Sequence, residues 1–198
     1  MIISLPYYLS YGYLTTHPGT GCDKEMTEMS TAVVDSPQNE QAQAWWFLDT
    51  LVVEHRCAPG MDTVVLEMTL PVGSAPPLHI HDGLDDTWYI IEGEMVVRCG
   101  DDELVVGPGH WVSMPRGVPH GFRVVGDREA RILLVHDNAS FRDFIHAVGV
   151  PTATRVVPSQ PAFPPMDEMV RLASLHDLRP IGPPMSVQDS DTVLAGAS

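Results

Sequence analysis

The sequence reads GSAPPLHIHDGLDDTWYIIEG from Gly73 to Gly93, and this stretch decides the fold. Because alternate residues of a β-strand point to one face, His79 and His81 present two imidazoles toward the same point. Asp86 follows a short glycine-containing turn and opens an apolar run, so it can return a carboxylate to that point. The stretch therefore predicts β-structure that gathers potential metal ligands.

A second stretch supplies a third imidazole and reads GHWVSMPRGVPH from Gly109 to His120. Its glycines and prolines place turns where a small barrel must reverse direction. Three imidazoles and one carboxylate form a mixed nitrogen and oxygen set that suits a divalent first-row metal. We therefore predict a metal site made of His79, His81, Asp86 and His120.

Short apolar runs separated by Gly, Pro and Asp turns continue on both sides of these stretches and predict strands. The predicted strands are Trp45–Glu54, Thr63–Leu70, Asp86–Ile91, Glu94–Arg98, Glu103–Val106, Trp111–Met114, His120–Val125 and Ala130–Val135. Many short strands at close spacing are typical of a barrel or a double-sheet jelly roll. Two helices follow, Ser140–Val148 and Asp167–His176, whose apolar stripes are expected to cover the barrel.

The length of 198 residues fits a single domain, which we place at residues 29–185. Residues 1–28 hold four of the five tyrosines and the only lysine, Lys24, so we expect a disordered or non-native extension there, with Met26 or Met29 as the native start. The polar residues 186–198 are expected to form a flexible tail.

Composition excludes several classes of partner. A formal net charge of −15 argues against binding the phosphate backbone of nucleic acid. The sequence has no Lys/Arg cluster for docking on an anionic membrane and no apolar run near the ~20 residues of a membrane span. The three cysteines have no CxxC spacing, which favours free thiols in a reducing compartment. We therefore expect a cytoplasmic protein that binds a small molecule.

These two stretches resemble the paired motifs of the cupin superfamily, in which three His and one Glu hold a metal. From Trp45 to about Met185 the chain is also similar to single-domain bacterial cupins described as quercetin 2,3-dioxygenase-like. The similar segments are Trp46-Phe-Leu, Pro77-Leu-His79, Tyr89-Ile-Ile-Glu-Gly-Glu94, Pro115-Arg-Gly-Val-Pro-His120 and Ile181-Gly-Pro-Pro184. The resemblance implies an all-β fold, a double-stranded β-helix (jelly-roll barrel) with short C-terminal helices.

Carried over by residue, His79, His81 and His120 match the family's histidine ligands, and Asp86 stands at the glutamate position. Asp is one methylene shorter, roughly 1.5 Å of reach, so Asp86 is either a ligand or lies beside a three-histidine metal. Asp85 is a rival carboxylate, but it breaks the family's six-residue spacing to Gly93. A second departure is Val124, where the family motif usually has Asn.

Strand alternation also predicts side chains that share the inward face with the metal site. We expect these apolar side chains to contact a planar aromatic substrate: Trp88, Ile90, Phe122, Leu66 and Met68. The alternative is that they fill a small barrel, which is common. His136 ends a strand and could reach the same space, although we interpret it as a bystander.

The resemblance implies a metal-dependent dioxygenase that acts on a flavonol or a related enolizable aromatic, with dioxygen as co-substrate and carbon monoxide released on ring opening. Asp86 would be catalytic and take the substrate proton, a task that favours a carboxylate of raised pKa. The metal could be Fe, Mn, Ni, Co, Cu or Zn, and a homodimer is expected. The alternatives are an isomerase, cyclase or decarboxylase of secondary metabolism, or a non-catalytic small-molecule-binding cupin.

Overall fold

The computed structural model describes residues 42–58 and 60–196, and the extension predicted for residues 1–28 lies outside this range. The described residues form twelve strands: β1 Gln43–Phe47, β2 Thr50–His55, β3 Val64–Leu70, β4 Pro77–His81, β5 Asp86–Glu92, β6 Glu94–Cys99, β7 Asp102–Val106, β8 Trp111–Met114, β9 His120–Val125, β10 Ala130–His136, β11 Val150–Pro151 and β12 Leu178–Pro184. The three helices are α1 Ser140–Val148, α2 Met166–Leu175 and α3 Val187–Gly196.

The strands form two antiparallel sheets. The larger sheet has the order β11-β1-β2-β3-β10-β5-β8, and the smaller has the order β12-β4-β9-β6-β7. Strands that are distant in sequence are neighbours in each sheet, as a double-stranded β-helix requires. The predicted all-β jelly-roll fold with short C-terminal helices is confirmed.

The core lies between the inner faces of the two sheets. Strand β3 alternates buried and half-buried residues along its length, with Leu66, Met68 and Leu70 facing inward. The same alternation in β10 buries Ile132 and Leu134 in the same cluster. Each such side chain contributes about 1.5–3 kcal/mol of burial free energy, so strand alternation positions the inward faces on which the site depends.

Gly93 shows why the first motif ends on glycine. It joins β5 to β6 at a φ of +79°, and a Cβ there would lie 2.5 Å from the carbonyl oxygen of Glu129 and 2.6 Å from the Cα of Ala130. A side chain would therefore meet rigid backbone, in a conformation that other residues rarely adopt. The glycine lets the β5–β6 turn pack against the start of β10.

The structure differs from the predicted strands at β1 and β2 and at β12. The run predicted as one strand from Trp45 to Glu54 is a hairpin, β1 and β2, which turns at Leu48 with a φ of +59°. Strand β12 was not predicted as a strand, because its prolines lack the N–H groups of a regular ladder. It pairs with β4 at the edge of the smaller sheet, where proline is tolerated.

The C-terminal segments cover the barrel. Both predicted helices are present within one residue of their expected ends. Met169 and Leu172 of α2 pack on the core, whereas Val170 and Leu175 of the predicted stripe are 41% and 66% exposed. None of the described helices has the length and apolarity needed to cross a bilayer.

The segment expected to be a flexible tail contains a helix, and its flexibility stays a prediction. Its residues 187–196 form helix α3, because Val193 and Leu194 pack against the buried Val96, Val125 and Met185 on the outside of the smaller sheet. The domain division at residues 29–185 stays a prediction.

Candidate metal centre

Two neighbouring strands of the smaller sheet carry the three histidines. His79 and His81 lie on β4, and His120 lies on β9 directly opposite His79. All three are buried, and one possible ligand atom from each lies within 4.8 Å of the others. The i, i+2 spacing and the cross-strand pair together bring three imidazoles to one point, as the sequence predicts.

Backbone hydrogen bonds orient two of these rings. Nδ1 of His79 lies 2.7 Å from the carbonyl oxygen of Pro77, and Nδ1 of His120 lies 2.8 Å from that of Val118. Because a carbonyl only accepts, Nδ1 donates in both rings, and Nε2 of each neutral ring keeps a free lone pair. Nε2 of His120 is buried and has no hydrogen-bond partner among the described residues. A metal ion would satisfy this lone pair, so the residues present fit a metal.

The protonation of the histidines also suits metal binding. Burial lowers the pKa of His79 to about 4, assisted by the neighbouring His120. Burial also lowers the pKa of His81 to about 3, although the nearby Asp86 opposes the shift. Both rings are therefore neutral at pH 7, which is the form that binds a metal.

Asp86 reaches the same point from the facing sheet, at the start of β5. Its Oδ1 accepts hydrogen bonds from Nε1 of Trp88 at 2.6 Å and from Nε2 of His136 at 2.8 Å. Its Oδ2 lies 3.8 Å from Nε2 of His81 and 3.7 Å from Nε2 of His120. One oxygen of the carboxylate is thus held by the larger sheet, and the other faces the histidines.

Asp86 lies close enough to two of the histidines to share an ion with them. Protein ligands to a first-row ion such as zinc lie about 2.0–2.2 Å from it, so ligand atoms of one ion lie within roughly 4.4 Å of one another. Oδ2 of Asp86 meets this limit toward Nε2 of His81 and of His120, although only the three histidines have ligand atoms that all lie within 4.8 Å of one another. Both positions foreseen for Asp86, as a ligand or beside a three-histidine metal, agree with these distances.

The electrostatics of Asp86 correct one expectation. Burial raises the pKa of this carboxyl, but the hydrogen bond from His136 and the neighbouring imidazoles outweigh burial and lower the pKa to about 2. The expected raised pKa is therefore wrong, because strand alternation alone did not reveal the donors that face the carboxylate. Asp86 is therefore ionised at pH 7.

The rival carboxylate, Asp85, points the other way. Arg116 donates to it from its backbone N, from Nε and from Nη2 at 2.9–3.0 Å. These hydrogen bonds lower the pKa of Asp85 to about 2 at the protein surface. Choosing Asp86 over Asp85 at the site agrees with this geometry.

His136, which the sequence led us to interpret as a bystander, belongs to the site. It ends β10, where alternation places it on the same inward face as Ile132 and Leu134. Had the predicted strand Ala130–Val135 been extended by one residue, alternation would have placed the His136 side chain on the inward face, which also carries Asp86. Phe141 of α1 was also missed, and its ring packs edge-on against His81 and His136 at centroid distances of 5.8 Å and 5.6 Å.

The five residues predicted to contact substrate all lie in the packed core, at 8% exposure or less. They belong to one apolar cluster: Trp88, Ile90, Phe122, Leu66 and Met68. The rings of Trp88 and Phe122 meet edge to face at 5.2 Å, and Val124 is buried beside them. This packing favours the alternative that these side chains fill the barrel, while Trp88 also holds Asp86.

A surface cleft of about 570 Å³ opens elsewhere on the molecule. Glu54, Arg56 and Arg142 line it, and its lining shares no residue with the metal centre. Its size alone does not make it the reactive site, because the buried donors that could hold a metal lie between the sheets.

Parts of the chain that include this centre are similar to known proteins. Residues 66–136 match the family model of the cupin domain. Over 163 residues the chain is 22% identical to the quercetin 2,3-dioxygenase of Bacillus subtilis, which covers 80% of this chain and 48% of that protein. An uncharacterized protein of Methanocaldococcus jannaschii is 28% identical over 74 residues, covering 37% of this chain and 59% of that protein.

The chain thus spans about half the length of these curated relatives. Among solved structures, an RmlC-like cupin from Shewanella frigidimarina matches with a TM-score of 0.46 at 15% identity, covering 56% of this chain and 94% of that one.

Proposed function

Since this chain is a cupin superfamily protein, we propose that it is a metal-dependent dioxygenase acting on a flavonol or a related enolizable aromatic small molecule. One observation carries the proposal: three buried histidines cluster within 4.8 Å beside a buried, ionised carboxylate. The similarity to the quercetin 2,3-dioxygenase of B. subtilis supports the substrate class and the use of dioxygen.

His79, His81 and His120 would hold the metal, which we expect to be one divalent ion of Fe, Mn, Ni, Co, Cu or Zn. Such an ion would polarise a substrate oxygen and acidify its hydroxyl group. The backbone carbonyls of Pro77 and Val118 fix two of the rings, so the ligand set is preorganised.

In this proposal Asp86 accepts the substrate's hydroxyl proton at Oδ2, the oxygen that faces the histidines. A carboxylate with a pKa of about 2 is a weak base. Proton transfer to Oδ2 is therefore favourable only from a hydroxyl that is itself acidified in the site. Because its pKa is low, Asp86 stays ionised and can accept a proton, but it is a weaker base than a carboxylate of ordinary pKa.

Burial of the site supports oxidative chemistry. Phe141 packs over His81 and His136, and the three histidines and Asp86 are all buried. A site closed to bulk water strengthens electrostatic interactions and protects reactive species from hydrolysis. Phe141 is the aromatic side chain that we expect an incoming ring to meet.

The remaining expectations are part of the same proposal. We place the protein in the cytoplasm, since neither Cys57 nor Cys99 forms a disulfide within the described part of the chain. We expect a homodimer whose partners are a small aromatic substrate and dioxygen, and not nucleic acid or membrane. Light scattering on the purified chain tests the dimer.

The packed barrel favours a second candidate function. Because Trp88, Phe122 and Leu66 fill the space beside the site, a substrate smaller than a flavonol would fit more readily. That molecule would be bound without catalysis, or converted by an isomerase, cyclase or decarboxylase that consumes no oxygen.

Oxygen uptake separates the two candidates. Protein loaded with each metal in turn is mixed with quercetin in an oxygen electrode, and the headspace is assayed for carbon monoxide. We expect metal-dependent uptake that is lost in Asp86→Asn and retained in the matched control Asp85→Asn. Absence of uptake with every metal, on protein shown to contain the ion, would overturn the dioxygenase in favour of the second candidate.

A further inference from the structure

We propose that the ring of Phe141 is a gate that controls access to the metal centre, for the ion and for a small-molecule substrate. This inference rests on the proposed metal centre, and it adds control of access to the proposed function. The residues at the centre are each 8% exposed or less: His79, His81, Asp86, His120 and His136. An ion or a substrate therefore reaches them only after a covering side chain has moved.

Extended structure closes two sides of the centre. Strand β4, which carries His79 and His81, pairs with β12 on one side and with β9 on the other. A passage through the smaller sheet would break these backbone hydrogen bonds. Between the sheets, the barrel interior is filled by the buried side chains of Trp88, Ile90 and Phe122. Neither route opens by the movement of a single side chain.

Phe141 covers the centre where helix α1 begins. Its ring meets the ring of His81 at a centroid distance of 5.8 Å and the ring of His136 at 5.6 Å, edge-on in both contacts. His81 belongs to the smaller sheet and His136 to the larger one, so this one ring spans the gap between them. Phe141 is itself only half-buried. It therefore reaches from the two imidazoles to the protein surface, and its movement would uncover both.

Two unpaired nitrogen atoms lie in the rings that Phe141 covers. Nδ1 of His81 and Nδ1 of His136 are buried and have no hydrogen-bond partner among the described residues. A buried polar atom without a partner is costly, and a phenyl ring carries no conventional donor or acceptor. Once the ring moves, water or the hydroxyl group of an incoming molecule can bind these atoms. That gain offsets part of the cost of exposing the ring, as a gate requires.

The backbone of helix α1 is held while the ring moves. Asn138 donates from Nδ2 to the carbonyl oxygen of Gly83 at 3.1 Å, and its Oδ1 accepts from the backbone N–H of Ser140 at 3.0 Å. Further along the helix, Phe144 is 3% exposed and packs in the core. The helix is thus anchored on both sides of Phe141, so opening requires rotation of the ring rather than displacement of the helix.

The entry and removal of cobalt(II) test the gate without any substrate. Stopped-flow absorbance follows the uptake of cobalt by the metal-free protein and its loss to an excess of EDTA. A gate changes both rates by the same factor and leaves their ratio, which is the affinity, unchanged. We expect Phe141→Ala to raise both rates by about tenfold, which corresponds to a barrier lower by about 1.4 kcal/mol. Two edge-to-face ring contacts can supply a difference of this size.

Phe144→Ala is the matched control, because it makes the same change three residues further along α1. Among the described residues, the ring contacts of Phe144 are with Phe47, Phe141 and His176 and include neither imidazole that Phe141 covers. This variant should lose stability while both cobalt rates stay at their wild-type values. If circular dichroism shows that it does not fold, Leu replaces Ala at both positions, and only Phe141→Leu should be faster than wild type.

Three results would overturn the gate. Unchanged rates in folded Phe141→Ala would mean that access does not depend on this ring. An equal rise in the Phe144 variant would mean that a loosened helix admits the ion. A change in affinity without a change in the entry rate would make Phe141 a support for the ligands. Lack of cobalt binding by the wild-type protein would overturn the metal centre itself, whereas failure to oxidise quercetin would leave this result intact.

Discussion

Asp85 and Asp86 are neighbours in sequence and lie in two opposite regions of the molecule. The side chain of Asp85 is 53% exposed and forms an ion pair with Arg116, which also reaches Asp137. The side chain of Asp86 is 5% exposed and is held by Trp88 and His136 between the sheets. A single step along the chain, at the start of β5, separates a surface ion pair from a buried site.

The two carboxyls reach a similar pKa of about 2 by different routes. Hydrogen bonds from Arg116 lower the pKa of Asp85 in water, with little burial to oppose them. At Asp86 burial raises the pKa, and the hydrogen bond from His136 leads the contributions that reverse it. A low pKa alone therefore does not mark a functional carboxylate. The buried carboxylate of Asp86 needs nearby hydrogen-bond donors to stay ionised, and those donors identify the site.

The largest expected effect concerns the histidines of the buried region. His120→Gln removes a proposed metal ligand and leaves the exposed ion pair of Asp85 and Arg116 unchanged. Because loss of an outer-shell partner alone weakens metal affinity about 10–100-fold, we expect this variant to bind cobalt more than about 100-fold more weakly. Competition with a coloured chelator measures the affinity. Affinity equal to that of Asp85→Asn would show that the ion binds elsewhere.

Asp86→Leu should have the next largest effect, which is a loss of stability. It leaves two buried donors, Trp88 and His136, without their acceptor at a cost of about 1–3 kcal/mol each. Removing a buried charge offsets part of that cost, so we expect the free energy of unfolding of the metal-free protein to fall by about 3 kcal/mol. Urea denaturation at pH 7 gives the value. An unchanged midpoint would mean that Trp88 and His136 do not form these hydrogen bonds with Asp86 in solution.

The contributions of the two regions to stability should also depend differently on pH. His79 and His81 have pKa values of about 4 and 3 in the folded chain, against 6.5 when unfolded. The unfolded chain therefore binds more protons as pH falls below 6.5, and the metal-free protein should lose stability steadily toward pH 4. The low pKa values of Asp85 and Asp86 stabilise the folded chain fully above pH 3.8, the ordinary pKa of Asp. This stabilisation is lost only as the pH falls from 3.8 toward 2.

Urea midpoints of the metal-free protein at intervals from pH 7 to pH 4.5 measure this slope. His79→Gln should flatten it, whereas Asp85→Asn should not change it. A wild-type midpoint that is constant over this range would contradict the buried, neutral histidines.

Asp85→Leu should have the smallest effect, although it makes the same change as Asp86→Leu one residue earlier. Exposed ion pairs contribute little because water and salt screen them. We expect the urea midpoint and the cobalt affinity to match those of wild type. A stability loss as large as that of Asp86→Leu would remove the contrast between the two regions.

Much of this contrast could be predicted from sequence, because strand alternation is a local property. The spacing of His79, His81 and Asp86 is enough to place three side chains inward, and the second motif adds His120. The same period applied to β10 would have included His136, which was set aside because a lone histidine at a strand end carries no motif.

What the sequence could not supply depends on contacts between distant elements. The donors to Asp86 come from residues two and 50 positions away, so the sign of its pKa shift required coordinates. Whether Trp88 and Phe122 line a cavity or fill it depends on packing between two sheets. Helix α3 forms where Val193 and Leu194 find an apolar patch on the smaller sheet, which a polar tail composition does not reveal.

An anomalous difference map of cobalt-loaded crystals tests the central claim most directly. We predict one peak per chain, about 2.0–2.2 Å from a ring nitrogen of each of His79, His81 and His120. Oδ1 of Asp86 should still accept the hydrogen bonds of Trp88 and His136, with Oδ2 on the side of the peak. A peak at another site would contradict this account.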